Sequence, residues 1–341
     1  MSEFAGNSGR KPGFWLAVIA TALAVVVVGL GAWTRLVHAG LGCPDWPGCY
    51  GFLTVPDSAA EIRVAEARFP DAPVEVDKGW PEMIHRYVAG ALLLLVAGLA
   101  TSAIRNRKRE GQPFKLPLLI FALIILQAAF GMWTVTLKLW PQVVTAHLLG
   151  GFATLSLLTL LAFRLSGGWR PRLKPPQLKT LAGAGLLVVV LQITLGGWTS
   201  SNYAALACPD FPLCQGQVWP NMDFEQGLDV SQSIGPNYLG GQLDNSARTA
   251  IHMAHRIGAI ITLLVVGALV LVGLREGNSG IRNYSRLVLF ALLLQVSLGV
   301  SNIIFYLPLS VAVAHNLGGA FLLVSLLMLN YRLRYEQIER P

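Results

Sequence analysis

Residues 145–151 read Thr-Ala-His-Leu-Leu-Gly-Gly, and residues 313–319 read Val-Ala-His-Asn-Leu-Gly-Gly. Each stretch lies at the start of a long apolar run, and each has a second histidine upstream of it. Working outward, His85-Arg86 returns as His255-Arg256. Further from the centre, Gly31-Ala32-Trp33-Thr34 returns as Gly197-Trp198-Thr199, and Cys43-Pro44-Asp45-Trp46-Pro47-Gly48-Cys49 as Cys208-Pro209-Asp210-Phe211-Pro212-Leu213-Cys214. The offsets are nearly constant, so one unit is repeated in tandem.

Composition fixes the solvent of that unit. A chain of 341 residues with 54% hydrophobic and 13% charged residues does not suit a soluble globule. A helix needs about 20 apolar residues to cross a bilayer, and stretches of that length run near 14–36, 82–104, 115–137, 142–164, 179–201, 249–274, 284–305 and 309–331. The expected fold is all-α: a polytopic membrane protein with eight transmembrane helices, arranged as two tandem pseudo-symmetric four-helix bundles. The expected division is a tail at 1–13, a first repeat at 14–174, a second at 175–332 and a tail at 333–341.

Lys and Arg lie on one side of this eight-span arrangement: Arg10 and Lys11, the segment Arg105 to Lys115, the segment Arg164 to Lys179, then Arg275, Arg282, Arg286, Arg332 and Arg334. The positive-inside rule makes that side cytoplasmic. A multi-pass protein of the inner (cytoplasmic) membrane with both termini cytoplasmic follows. Topology accounts for the net charge of +8, so no nucleic acid is invoked, and the basic loops are expected to meet anionic lipid. The first apolar run is long enough to span and has no convincing small-residue site at its outer flank, so no cleaved signal peptide is expected.

Two long outer loops, about 37–81 and 202–248, each carry one cysteine pair. In an oxidising compartment the short separations favour local closure of Cys43 with Cys49 and of Cys208 with Cys214. Such rings staple the loops, contributing on the order of 2 kcal/mol each; a pair exposed above a redox cofactor can instead exchange electrons or thiols with a partner. A zinc site does not fit, since the pairs lack C-x2-C spacing and belong to different repeats.

Histidine is expensive inside a bilayer. Pro81, Pro141 and Pro308 mark helix starts, so His85, His147, His255 and His315 all fall at similar depth in the outer half of the membrane. Two imidazoles at matched depth on facing helices suit a haem. Gly90, Gly150, Gly151, Gly258, Gly318 and Gly319 follow the histidines and would leave space for a flat ring, although close helix packing uses glycine in the same way. Glu82 stands three residues before His85 and can reach the edge of whatever His85 binds; the second repeat has His252 there. Arg35, Arg86 and Arg256 at the outer rim suit haem propionates or snorkelling to headgroups. His38 reads as a loop residue and His252 as a polar-interface residue or propionate contact.

Together, Trp33-Thr34-Arg35, the Leu41-Gly42-Cys43-Pro44-Asp45-Trp46-Pro47 loop, Glu82 with His85-Arg86, Thr145-Ala146-His147 and the copies around His255 and His315 resemble the haem A synthase family, over about residues 14 to 332. That resemblance implies oxidation of the C8 methyl of haem O to a formyl group, giving haem A for terminal oxidases. It implies that His85 and His147 bind the substrate haem O and that His255 and His315 bind an iron-bearing haem B cofactor; Glu82, placed near the ring edge, is then the expected catalytic group, accepting protons or stabilising positive charge at the methyl carbon. Haem O synthase and cytochrome oxidase assembly factors are the partners it suggests, with an electron donor that no flavin, nicotinamide or iron–sulfur motif identifies. A dihaem b-type electron-transfer protein would use all four histidines without needing Glu82. A repeat-built transporter would need no pigment.

Overall fold

Eight helices among the described residues are long and apolar enough to cross a membrane. The computed structural model describes residues 9–171 and 178–337. The membrane helices are α1 (Phe14–Leu36), α3 (Val76–Arg105), α4 (Lys115–Thr136), α5 (Pro141–Leu165), α6 (Leu178–Ser201), α8 (Asn245–Leu274), α9 (Ser279–Ile304) and α10 (Leu309–Arg334). Two short helices, α2 (Ala59–Arg68) and α7 (Phe224–Gly227), lie in the long loops. The expected all-α chain also carries one small antiparallel sheet, β1 (Trp169–Pro171) with β2 (Tyr335–Gln337). So α10 runs to Arg334, into the stretch expected as a tail, and the next three residues pair with the segment after α5. The expected boundary between residues 174 and 175 lies outside the described residues.

Helix α3 starts six residues before the expected span. Val76 to Trp80 add more than a turn outside the apolar run, and Pro81 sits inside the helix rather than at its first position. Near the amino end this costs one intrahelical bond, because the first four N–H groups have no partner in any case. The carbonyl of Pro81 accepts a bond from the Thr34 hydroxyl of α1 at 3.1 Å, tying the tops of the two spans.

Helix α1 packs against α3 and α5, and α4 packs against the same two, so the four close a ring. Likewise α6 packs against α8 and α10, with α9 completing the ring. The rings meet where α5 touches α6 and α10, and α1 touches α10. Fully buried leucines fill this centre, among them Leu158, Leu161, Leu269, Leu326 and Leu329. Within the second ring, Asn330 of α10 donates to the Ala182 carbonyl of α6 at 2.9 Å, satisfying its amide in an apolar interior.

The α4–α5 and α9–α10 connections use the same device. Lys138 and Leu139 adopt left-handed backbone, as do Tyr306 and Leu307, and the helix restarts at Pro141 or after Pro308. The long loop before α3 has its own apolar cluster of Cys43, Cys49, Tyr50, Val55, Ala65 and Met83, to which α2 contributes Ala65. A capping box between Ser58 and Glu61 begins α2. The loop between α6 and α8 reaches back over the first ring: Trp140 Nε1 donates to the Gln232 carbonyl and Gln142 Nε2 to the Val230 carbonyl, both at 2.9 Å.

Exposed Asp57 and Arg109 lie at opposite ends of the bundle. Single Asp57→Cys and Arg109→Cys variants in sealed, uniformly oriented vesicles should therefore react with a membrane-impermeant maleimide from opposite sides. Labelling of both from the same side would break the eight-span arrangement.

Candidate functional site

Each of the four membrane histidines rests against a glycine of the neighbouring helix. A Cβ built on Gly31 of α1 would stand 3.0 Å from the His85 ring of α3, and one on Gly131 of α4 would stand 3.6 Å from His147 of α5. In the second ring the distances are 3.2 Å from Gly196 of α6 to His255 of α8, and 3.1 Å from Gly299 of α9 to His315 of α10. The missing side chains give the imidazoles room inside tightly packed helix pairs. These four glycines sit on the odd-numbered spans, whereas sequence reasoning looked only at glycines following the histidines. The signal lay in the repeat itself, since Gly31 and Gly196 share the offset of the Trp-Thr motif.

The glycines singled out from sequence behave differently. Gly90 and Gly151 face open space, but Gly150, Gly258 and Gly318 do not: a Cβ there would overlap the side-chain amides of Gln127, Gln192 and Gln295 respectively. Gly319 faces Gln295 and Phe152. Three of the six therefore make room for glutamine, a partner that the sequence reading missed.

His85 on α3 and His147 on α5 belong to the first ring of helices, and His255 on α8 and His315 on α10 to the second. Each ring thus holds two of the four histidines singled out from sequence. Gln192 Nε2 lies 3.1 Å from His255 Nδ1 and donates to the His255 carbonyl at 2.9 Å. Gln295 Nε2 lies 3.4 Å from His315 Nε2. The Nδ1 atoms of His85, His147 and His315 are buried without a hydrogen-bond partner. Paired imidazoles with orphaned nitrogens in an apolar interior fit axial ligation of a porphyrin iron, since such atoms are costly to bury for packing alone.

Glu82 is buried at 5% exposure, and both of its oxygens are engaged. Oε1 pairs with Arg86, one turn on, and Oε2 accepts the backbone N–H of Cys43 at 3.0 Å. His252, the residue at the matching place, accepts the N–H of Cys208 through Nδ1 at 3.3 Å. Each side chain anchors the first cysteine of its loop. Arg86 Nη1 donates to the carbonyls of Asp45, Pro47 and Gly48, and Arg256 to those of Cys208, Asp210 and Leu213. Both guanidiniums thus hold the disulfide loops down on the helix tops.

Both loops are closed by disulfides, Cys43–Cys49 with Cα atoms 4.8 Å apart and Cys208–Cys214 at 4.6 Å. Inside the first ring, the Asp45 carboxylate accepts the N–H groups of Tyr50 and Gly51 at 2.6 and 2.7 Å. Asp210 does the same for Gln215 and Gly216 at 2.6 and 2.8 Å. The Gly216 N–H, followed by that of Gln215, holds the Asp210 carboxyl below its usual range. This loop closure is therefore present above the ordinary carboxylate range and is lost as pH falls through the lowered value. Burial, followed by the nearby carboxylates led by Glu75, pushes the Tyr50 hydroxyl up to about 12, so it remains a neutral donor to the Pro73 carbonyl at 2.9 Å.

Arg35 lies where the two rings meet. Its guanidinium donates to the Ser200 carbonyl and lies 4.0 Å from the Tyr203 ring centroid, while its buried Nε has no partner. His38, exposed as a loop residue, stacks on the other residue of that contact, Tyr203, at 5.6 Å.

Residues 14–327 match the family model COX15-CtaA, described as cytochrome oxidase assembly protein. A protein of Shewanella oneidensis named Heme A synthase is 47% identical over 328 residues, covering 94% of this chain and 97% of that protein. Proteins of the same name from Chelativorans sp. and Erythrobacter litoralis are 29% and 28% identical, over 92% and 91% of this chain and 90% and 94% of their own lengths.

Removing Arg86 strands a buried carboxylate and frees three loop carbonyls, whereas Arg256 faces a histidine. Arg86→Ala should destabilise the purified protein by about 3 kcal/mol, and Arg256→Ala by less. Thermal unfolding in detergent and proteolysis within residues 43–52 read the difference; equal losses would mean that the Glu82 pair contributes nothing.

Proposed function

Since the chain belongs to the COX15-CtaA family of cytochrome oxidase assembly proteins, we propose that it is a haem A synthase, an oxidoreductase that converts the C8 methyl of haem O into the formyl group of haem A. The observation that carries this reading is the set of four buried imidazoles, two in each ring of helices, each set against a glycine. In this reading His85 and His147 hold the substrate haem O, and His255 and His315 hold haem B. Held by those two imidazoles, haem B would supply one-electron transfer.

The rest is the work of side chains. The helix rings exclude water and seat each imidazole against a glycine of the neighbouring helix. Glu82, one turn from His85 on the same face of α3, is the group placed to take a proton at the substrate's edge. Taking a proton weakens its bonds to Arg86 and to the Cys43 N–H, which couples the acid–base group to the disulfide loop above it. Arg35 and Arg256, each with a buried Nε still unpartnered, are the arginines placed to meet a propionate, whereas Arg86 is engaged by Glu82 and by loop carbonyls.

Two features support a duplicated unit split near residue 174. Contacts within α1 to α5 recur within α6 to α10. Arg35 and Ser200, and likewise His38 and Tyr203, are counterparts at an offset of 165 that touch each other, as residues on a two-fold axis do. The basic ends of α3, α5 and α10 share one side with the amino terminus, which supports an inner-membrane protein with both termini cytoplasmic. Haem O synthase is the expected source of substrate; the electron donor belongs to another chain.

Haem extraction and chromatography test the reading. His255→Ala or His315→Ala should lose tightly held haem B. In a host without its own synthase, Glu82→Gln should keep haem B, lower haem A formation about a hundredfold or more, and accumulate haem O or its hydroxylated product. Full haem B in both histidine variants would overturn the ligand assignment. Normal haem A from Glu82→Gln would leave Glu82 with only the loop-anchoring role it shares with His252.

A further inference from the structure

At the end of the bundle opposite the disulfide loops, the chain before α1 is folded back onto the first ring. The Lys11 N–H donates to the Leu165 carbonyl at 2.8 Å, Gln112 Nε2 donates to the Pro12 carbonyl at 3.2 Å, and Lys11 Nζ donates to the Gly111 carbonyl. Gly13 makes the turn into α1 with a φ of 90°, and a Cβ there would stand 3.4 Å from Ser102 Oγ of α3. These ties shape an open cavity of about 590 Å³. Its lining includes Arg10 and Lys11 before α1, Trp15 and Leu16 in the first turn of α1, Ser102 near the end of α3, and Arg109 in the turn before α4.

The cavity joins concentrated positive charge to an apolar edge. No carboxylate lines it, and Glu110, next to Arg109, lies outside the lining. Among the described residues Arg10, Lys11 and Arg109 form no ion pair. Arg164 adds a further cation: burial, followed by its like charge, holds the Lys11 ammonium below its usual range. Like charges gathered without a counterion repel, and an anion set among them relieves that repulsion. On the apolar side, Trp15 is 60% exposed at the start of a span, where aromatic rings mark the membrane interface, and the Arg10 guanidinium lies 4.8 Å from its ring centroid. Exposed Ile19 stands one turn further along the same face of α1. The cavity therefore borders lipid as well as water.

We propose that this cavity binds the headgroup of one anionic phospholipid, its phosphate held by Arg10, Lys11 and Arg109 and its acyl chain laid along Trp15 and Ile19. Basic loops attract anionic lipid in a general way; a basic pocket between membrane helices adds a fixed place for a single headgroup. A free phosphate would answer the cations but leave Trp15 and Ile19 uncovered, so the combination of charge and apolar edge favours lipid. The site includes none of the four membrane histidines and does not depend on the haem reading.

The test titrates the full-length protein, delipidated in a neutral detergent, with dioleoylphosphatidylglycerol or with dioleoylphosphatidylcholine, and counts bound lipid by native mass spectrometry. One phosphatidylglycerol should bind ahead of phosphatidylcholine. Arg10→Gln/Arg109→Gln should weaken it about 25-fold, about fivefold for each guanidinium, with helix content unchanged. Arg107→Gln/Lys108→Gln removes the same charge from the same face outside the cavity and should leave the affinity unchanged. If the first double variant does not fold, Arg109→Glu carries the test against the same control. Equal losses in the variants inside and outside the cavity would reduce the effect to diffuse attraction and overturn the site. Equal binding of the two lipids would also overturn it, as would displacement of phosphatidylglycerol by millimolar inorganic phosphate, which would make the ligand a free anion.

Discussion

Four imidazoles have to be buried in a bundle made almost wholly of aliphatic side chains, and the helix pairs are built to admit them. An imidazole between two close-packed helices needs a place for its ring and an answer for its nitrogens. Glycine on the facing helix gives the place at Gly31, Gly131, Gly196 and Gly299. The nitrogens are only partly answered, by glutamine in the second ring and scarcely at all in the first. The pairing of α1 with α3, α4 with α5, α6 with α8 and α9 with α10 follows from this seating, and the outer loops close over the same ends of the helices.

Those loops are less ornamental than their exposure suggests. Glu82 and His252 differ in charge, yet each accepts the N–H of the first cysteine of its loop, and Arg86 and Arg256 gather the loop carbonyls. A site close beneath the helix ends needs a cover with its backbone polar groups satisfied. Here the cover is a disulfide ring pinned from below by the residues that flank the histidines.

Much of this was legible in the sequence because the bilayer makes length and hydropathy decisive: seven of the eight spans begin within five residues of expectation. Val76 was misjudged because the polar run before Pro81 continues the helix beyond the apolar stretch, where hydropathy carries no signal. Helix α2 escaped notice because a short helix with six of its ten residues Ala or Glu has weak periodicity and owes its start to a capping box. The histidine pairs and the cysteine pairs were visible as repeats. The roles of Arg86 and Arg256 were not, since a guanidinium beside a membrane surface has many suitors and only the fold shows which carbonyls come within reach. The glutamines were overlooked because each is a single polar residue in an apolar span, meaningful only when the odd-numbered spans are compared with one another.

The contact of Arg35 with Ser200 has a consequence for how such a chain can change. On the duplication reading, position 35 faces its own counterpart across the axis between the rings. In a dimer of identical units an arginine there would meet a second arginine, and the like charges would push the units apart. Fusion into one chain lifts that constraint: one copy can keep a cation while the other becomes a small neutral residue whose carbonyl receives it. The covalent link between the rings thus permits chemical differences across the axis that a symmetric assembly would have to exclude.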